Sequence, residues 1–323
     1  MIKIAIAGYG SVGRSVEYAI KQAPDMKLVA IFTRRPSSVE SRTNTPVIPM
    51  DEAAMWSGKV DVLVLCGGSF TDLPVQGPTL AKFFNTVDSF DTHPDIPKYF
   101  AEMDAVLKTS GKLGIISVGW DPGLFSLNRL YMSAILPDGE SYTFWGKGIS
   151  QGHSNAIRQV EGVLDAVQYT FPIEKAVERV RSGSMPKLST AEKHIRECYV
   201  VLKDGVDAAK VEEAIVTMPY YFANITTNVH FISKEEFIRD HSSTATKGFV
   251  FRSGHTSQDN THHMEYSIKL ESNPEFTANV LVAYARAVFR MAADGKKGAI
   301  TVFDVAPALL SDKSVEQLRA EML

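Results

Sequence analysis

Cysteine is nearly missing from this chain: Cys66 and Cys198 are the only two in 323 residues. Two thiols so far apart exclude a disulfide framework and fit a reducing compartment. No Cys/His cluster has zinc-site spacing, and His262 and His263 alternate on a strand, so no metal is expected. No run reaches the ~18 apolar residues of a bilayer-spanning helix, so no membrane partner is expected. Charge of one sign is also lacking in excess. The 34 Lys and Arg against 37 Asp and Glu leave a formal −3, which gives no reason to expect nucleic acid. From Met1 the chain enters a strand pattern without the basic and apolar regions of a secretory signal, and a cytoplasmic location is expected. Repeats and low-complexity segments are absent too.

What is present is concentrated at the front. Ile2, Ile4 and Ile6 form a short apolar run of strand length, followed by Gly8-Tyr9-Gly10-Ser11-Val12-Gly13, a G-x-G-x-x-G spacing. Val12, Val16, Ala19 and Ile20 then share one helical face, and residues 27–32 read as a second strand. Strand, glycine turn, helix and strand within about 30 residues predict a dinucleotide-binding unit. Gly8 permits the tight turn, Gly10 a close approach to a pyrophosphate, and Gly13 close helix–strand packing. An NAD-preferring site usually has a carboxylate at the end of the second strand. Here Phe32-Thr33-Arg34-Arg35 has none, and two guanidiniums suit a 2′-phosphate, so NADP is the expected cofactor.

The same rhythm continues. Residues 60–66 are a continuous apolar run, the mark of a buried parallel strand, ending in Gly67-Gly68-Ser69, small enough for a second backbone approach to the cofactor. Further strands are expected at 86–91 and 113–118, with helices near 74–84 and 94–107. The fold class is α/β, a Rossmann-type doubly wound parallel sheet with a second α+β substrate and dimerisation domain. Ligands in such sheets lie beyond the carboxyl ends of the strands, where Asp91 and Asp121 fall. The expected domains are 1–122 with a returning segment of about 299–323, and 123–298. In the second, strands are read at 142–145, 167–171, 197–202, 225–231, 249–252 and 263–270. Helices are read at 156–166, 173–180, 211–218 and 274–293. A strand at 300–305 and a helix from 311 follow.

Longer blocks then point to one family. The glycine motif through Val16, Thr33-Arg34-Arg35, Gly119-Trp120-Asp121-Pro122-Gly123, Thr143-Phe144-Trp145-Gly146, Ser150-Gln151-Gly152-His153-Ser154 and Asn273-Pro274-Glu275-Phe276-Thr277-Ala278 resemble meso-diaminopimelate D-dehydrogenase, essentially end to end. The resemblance implies NADP-dependent oxidative deamination of meso-2,6-diaminopimelate at its D-centre, and a homodimer serving lysine and peptidoglycan precursor synthesis. It implies cofactor contacts from Gly8, Tyr9, Gly10, Ser11, Val12 and Gly13; from Thr33, Arg34 and Arg35; and from Cys66, Gly67, Gly68 and Ser69. Ser89, Phe90 and Asp91, then Val118, Gly119, Trp120, Asp121 and Pro122, complete that set. Implied substrate contacts are Asp91, Asp121, Trp145, Gln151, Gly152, Thr170, Arg196 and Asn273. The family's pattern has a carboxylate-binding His before the strand at Phe249; here Thr246 or Lys247 stands in its place, with His241 and His255 nearby.

The chemistry of such a substrate can be matched to residues. It carries an ammonium and a carboxylate at each end, so the site needs acids for the first and cations or hydroxyls for the second. Asp91 and Asp121 supply acids, and either is a candidate for moving the amine proton. Arg196 and Thr170 suit a carboxylate, and Trp145 offers a flat apolar wall. Each has a plainer reading. Asp121 would cap a helix starting near Pro122, Trp145 would be core, and Arg196 surface. Asp91 would be a loop residue, Gln151 a helix entry and Asn273 a helix start. The alternative functions are an NADP-dependent reductase or dehydrogenase of another D-amino acid, imine or semialdehyde, and a non-catalytic NADP-binding protein.

Overall fold

The computed structural model describes residues 1–323 except Lys147, Ser150, Tyr220 and residues 242–244, and leaves out the Gln151 side chain. The chain divides into two units, Met1–Leu127 with Pro274–Leu323, and Asn128–Asn273. Among the described residues no helix is long and apolar enough to cross a membrane.

The first unit is built on β1 Ile2–Ala7, β2 Met26–Thr33, β3 Val47–Pro49, β4 Val62–Leu65, β5 Thr86–Asp88, β6 Leu113–Ile115 and the late strand Gly298–Ile300. They form one seven-stranded parallel sheet in the order late strand, β6, β5, β4, β1, β2, β3. Alternation along β1 explains its two layers. Ile2, Ile4 and Ile6 enter one core with Val16, Ala19 and Ile20 of α1 Ser11–Lys21 and with Leu281, Tyr284 and Val288 of the long helix Asn273–Ala293. Ala5 and Ala7 enter the other, under Leu73 and Leu80 of α2 Leu73–Leu80 and Tyr99, Met103 and Leu107 of α3 Ile96–Ser110. Both faces of the sheet are therefore covered, as a parallel sheet requires. The second compact unit ends at Asn273, short of the residue of about 298 expected from sequence.

The second unit begins within α4 Leu124–Ile135 and contains two sheets. One holds β7 Gly139–Trp145 with two strands from late in the unit. The other starts from β8 Gly148–Ile149 and adds β9 Val163–Pro172, β10 His194–Leu202 and β11 Thr227–Phe231 in the order β11, β10, β9, β8. The first sheet closes with β12 Thr246–His255 and β13 Thr261–Leu270, in the order β13, β12, β7.

Three expectations need correction. The helix read at 156–166 is α5 Gln151–Arg158, and β9 starts at Val163. Between them Gly162 sits at φ +87, and a Cβ there would lie 2.6 Å from Val206, so the chain reverses where the apolar spacing suggested continuation. The strand read at 300–305 stops at Ile300, because Thr301 and Asp304 cap each other around the turn Val302–Asp304. The final helix runs Val315–Met322, started by the Ser314 cap.

Candidate functional site

The glycine turn enters α1 with Gly10 at the helix cap and no side chain closing it. A Cβ at Gly10 would meet nothing within 4 Å, whereas one at Gly13 would lie 2.1 Å from the Gly8 carbonyl oxygen. Gly13 is thus fixed by packing, and the space at Gly10 is left for a ligand's phosphates against open backbone N–H groups. Thr33 is buried at the end of β2, and its Oγ1 accepts the Arg35 N–H at 3.2 Å. Arg34 and Arg35 are exposed; Arg34 pairs with Asp72 at 2.9 Å. Asp72 also accepts the Gly68 N–H at 3.0 Å, and a Cβ at Gly67 would lie 2.7 Å from the Asp72 Cβ. Burial pushes the Cys66 thiol up, and its Sγ lies 3.8 Å from the Val64 carbonyl, so it is no nucleophile. These groups fit NADP: an open helix end for the pyrophosphate and exposed guanidiniums where a ribose phosphate is expected.

The loops after β5 and β6 are closed by a residue the sequence reading passed over. Asp88 is wholly buried. Its Oδ1 accepts from the N–H groups of Phe90 at 3.0 Å and Ser117 at 3.1 Å, and its Oδ2 from the Tyr99 hydroxyl at 2.9 Å. The Asp88 carbonyl accepts the Val118 N–H at 2.8 Å. Burial pushes the carboxyl up to about 6, against the pull of those three donors. Asp88 therefore ties together the two turns that carry Asp91 and Asp121. Asp91 is exposed, and its N–H donates to Ser69 Oγ at 3.1 Å, while Ser69 donates to the Ser89 carbonyl at 3.4 Å. Asp121 is half-buried and precedes a cis bond to Pro122. Helix α4 starts at Leu124, beyond the Gly119–Gly123 turn, where the Gly119 carbonyl accepts the Leu124 N–H at 3.0 Å.

In the second unit one face of the β8–β9–β10 sheet gathers polar groups. His194 and Arg196 share that face of β10 by strand alternation. Arg196 stands opposite Thr170 on β9, and Thr170 opposite Gly148 on β8. A Cβ at Gly148 would lie 1.8 Å from Thr246 Oγ1, which places Thr246, itself buried, against the same strand. The Trp145 backbone N–H donates to His194 Nε2 at 3.0 Å, and the two rings lie 5.2 Å apart. Burial, with Lys193 and Arg196 adding, lowers His194 to about 4, so its imidazole is a neutral acceptor. Arg196 Nε is buried without a partner, its guanidinium sits 5.7 Å from the Phe222 ring, and among the described residues no carboxylate pairs with it. Desolvation lowers its pKa to about 10. A half-buried, unneutralised guanidinium beside two hydroxyls is suited to a ligand carboxylate.

The structure thus brings Trp145, Thr170, Arg196 and Thr246 together. Lys247 does not join them: its side chain runs along Gly146. His241 bonds Tyr169 on the opposite face of β9, and His255 bonds Thr261. Gly152 is exposed on α5 with open space at its Cα; the Gln151 side chain lies outside the described residues. Asn273 opens the long helix and is half-buried. Asp88, Glu17 and His194 escaped the sequence reading. Only His194 carried a usable signal, its two-residue spacing from Arg196 on a strand.

The profile described as the diaminopimelic acid dehydrogenase C-terminal domain matches residues 119–272. The meso-diaminopimelate D-dehydrogenase of Ureibacillus thermosphaericus is 58% identical, over 100% of this chain and 99% of that one. A multiply substituted meso-diaminopimelate dehydrogenase of Clostridium tetani, solved with DAP, superposes with a TM-score of 0.96 at 50% identity, over 100% of both chains. An engineered D-amino acid dehydrogenase bound to NADP+ superposes with a TM-score of 0.91 at 42% identity, over 100% of this chain and 99% of that one.

Proposed function

The chain belongs to the meso-diaminopimelate D-dehydrogenase family, and from that premise we propose that it oxidises meso-2,6-diaminopimelate at its D-carbon, giving L-2-amino-6-oxopimelate and ammonia. Substrate, water and NADP+ yield the oxo acid, an ammonium ion, NADPH and a proton. The bound NADP supplies the hydride acceptor. The chain's own residues do the rest. The open end of α1 at Gly10 and Ser11 holds the pyrophosphate, and Arg34 and Arg35 hold the 2′-phosphate. Asp91 and Asp121 hold the ammonium groups, and one of them takes the amine proton on a carboxylate oxygen before the hydride leaves. Arg196, Thr170 and Thr246 hold a carboxylate, and the Trp145 ring, braced by His194, excludes water from the methylene chain. Gln151, Gly152 and Asn273 complete the substrate contacts. The enzyme works as a cytoplasmic homodimer in lysine and peptidoglycan precursor synthesis.

The observation that carries the site reading is Arg196, a half-buried cation with no carboxylate partner among the described residues. The test is NADPH absorbance with meso-diaminopimelate and NADP+ at alkaline pH. Formation of NADPH with matching ammonia release is expected; tight NADPH binding without turnover would leave only a cofactor-binding protein.

A further inference from the structure

Glu17 is 1% exposed on the inner face of α1, and among the described residues no Lys or Arg pairs with it. Four neutral donors close on it instead. Oε1 accepts from Ser41 Oγ at 2.6 Å, the Thr43 N–H at 2.9 Å and Thr43 Oγ1 at 2.6 Å, and Oε2 accepts from the Tyr9 hydroxyl. Burial alone would raise this carboxyl, but the bonds from Ser41, Thr43 and Tyr9 outweigh it, and Glu17 is held ionised. The network extends outward: the Thr45 N–H donates to Ser41 Oγ at 2.9 Å, and the Thr43 and Thr45 hydroxyls lie 2.8 Å apart.

The donors come from two separate pieces of the nucleotide cradle. Tyr9 stands inside the glycine turn. Ser41 and Thr43 stand on the segment that leaves β2 through Arg34 and Arg35 and returns at β3. That segment has little regular structure of its own, a single short turn at Pro36–Ser38. Glu17 is what anchors its second half. We propose that Glu17 is a positioning residue for the 2′-phosphate of NADP: by fastening the arginine-bearing segment to the glycine turn, it sets the preference for NADP over NAD.

This rests on Arg34 and Arg35 being the 2′-phosphate ligands. The experiment is fluorescence titration of NADPH and NADH binding to the substrate-free full-length protein, alongside steady-state kinetics with NADP and NAD as varied cofactors, for wild type, Glu17→Ala, Glu17→Gln, Arg35→Ala and the double variant Ser41→Ala/Thr43→Ala; the dissociation constants are expected to move as the KM values do. Loss of hydrogen bonds to a buried charge predicts a KM for NADP raised about tenfold in Glu17→Ala, with kcat and the KM for NAD changed by less than about twofold. Glu17→Gln keeps acceptor oxygen on one side only and falls between. The Ser41/Thr43 variant leaves α1 untouched, so it gives the same split even where Glu17→Ala folds poorly. Equal rises in both KM values, or a fall in kcat at unchanged KM, would overturn the proposal. A wild type without NADP preference removes the arginine reading and this proposal with it. A preference lost in Arg35→Ala but intact in the Glu17 and Ser41/Thr43 variants removes this proposal alone.

Discussion

The buried carboxylates Glu17 and Asp88 of the first unit and the half-buried Arg196 of the second are treated in opposite ways. In the first, the carboxylates of Glu17 and Asp88 are surrounded by their own donors, each bond made from within the unit. In the second, Arg196 has a buried Nε with no acceptor among the described residues, and Gln168 on the neighbouring strand has an Oε1 equally unmatched. A buried polar atom without a partner costs about 1–3 kcal/mol, and more when it belongs to a charged group. A satisfied buried charge holds the fold in shape; the unsatisfied one at Arg196 is what the proposed substrate carboxylate would complete.

Removing Arg196 is the largest expected perturbation of that contrast. Arg196→Leu should lower kcat/KM for meso-diaminopimelate by about 4 kcal/mol, on the order of a thousandfold, from loss of a desolvated charge pair. Its melting temperature should hold or rise, since an unpaired cation has gone. A variant that melts well below wild type would show Arg196 to be structural and break the contrast. Asp88→Ala should do the reverse in part, destabilising the first unit by about 3 kcal/mol in denaturant melts because three donors lose their acceptor. An unchanged denaturation midpoint would mean those donors find other partners.

Acid sharpens the comparison further. His194 has a native pKa of about 4, below the ~6.5 of the unfolded chain. The unfolded chain therefore takes up a proton first, and stability is lost as pH falls from about 6.5 to about 4, by about 2–3 kcal/mol. Asp88 has the opposite sign: its native value of about 6 lies above the unfolded ~3.9, so its burial costs less as pH falls through that window. Hydrogen exchange across this range should show the second unit loosening before the first, and His194→Gln should abolish the difference. The smallest effect is expected at Gly10→Ala. Nothing lies within 4 Å of the added methyl, so melting should not move, while NADP affinity should drop about tenfold as the methyl meets the phosphates.

The legible parts of the chain were those where spacing alone dictates structure. The β1–α1–β2 front declared itself because Gly8, Gly10 and Gly13 sit between a two-residue and a 3.6-residue apolar period. Asp91 and Asp121 were legible as residues beyond strand ends, and they lie in the loops after β5 and β6. Glu17 was hidden because a charged residue in an amphipathic helix reads as solvated, and its partners stand 24 and 26 residues away. Asp88 read as a strand residue; only the folded sheet brings Ser117 and Tyr99 to it. The α5–β9 join was misread because Val160, Val163 and Ala166 mimic a helical stripe, and only the left-handed Gly162 breaks it.

Both hubs of the first unit are latched by a phenol. Tyr9 donates to Glu17 and Tyr99 to Asp88, and in each case burial first, then the hydrogen bond and charge of the acceptor together, drive the hydroxyl's ionisation upward, for Tyr9 to about 12. An ordinary tyrosine surrenders its proton near 10. Alkali strong enough to ionise surface tyrosines, read as the rise of phenolate absorbance in the ultraviolet, should thus leave these two silent, and both keep a proton to donate in the basic solutions where amine oxidation runs most readily.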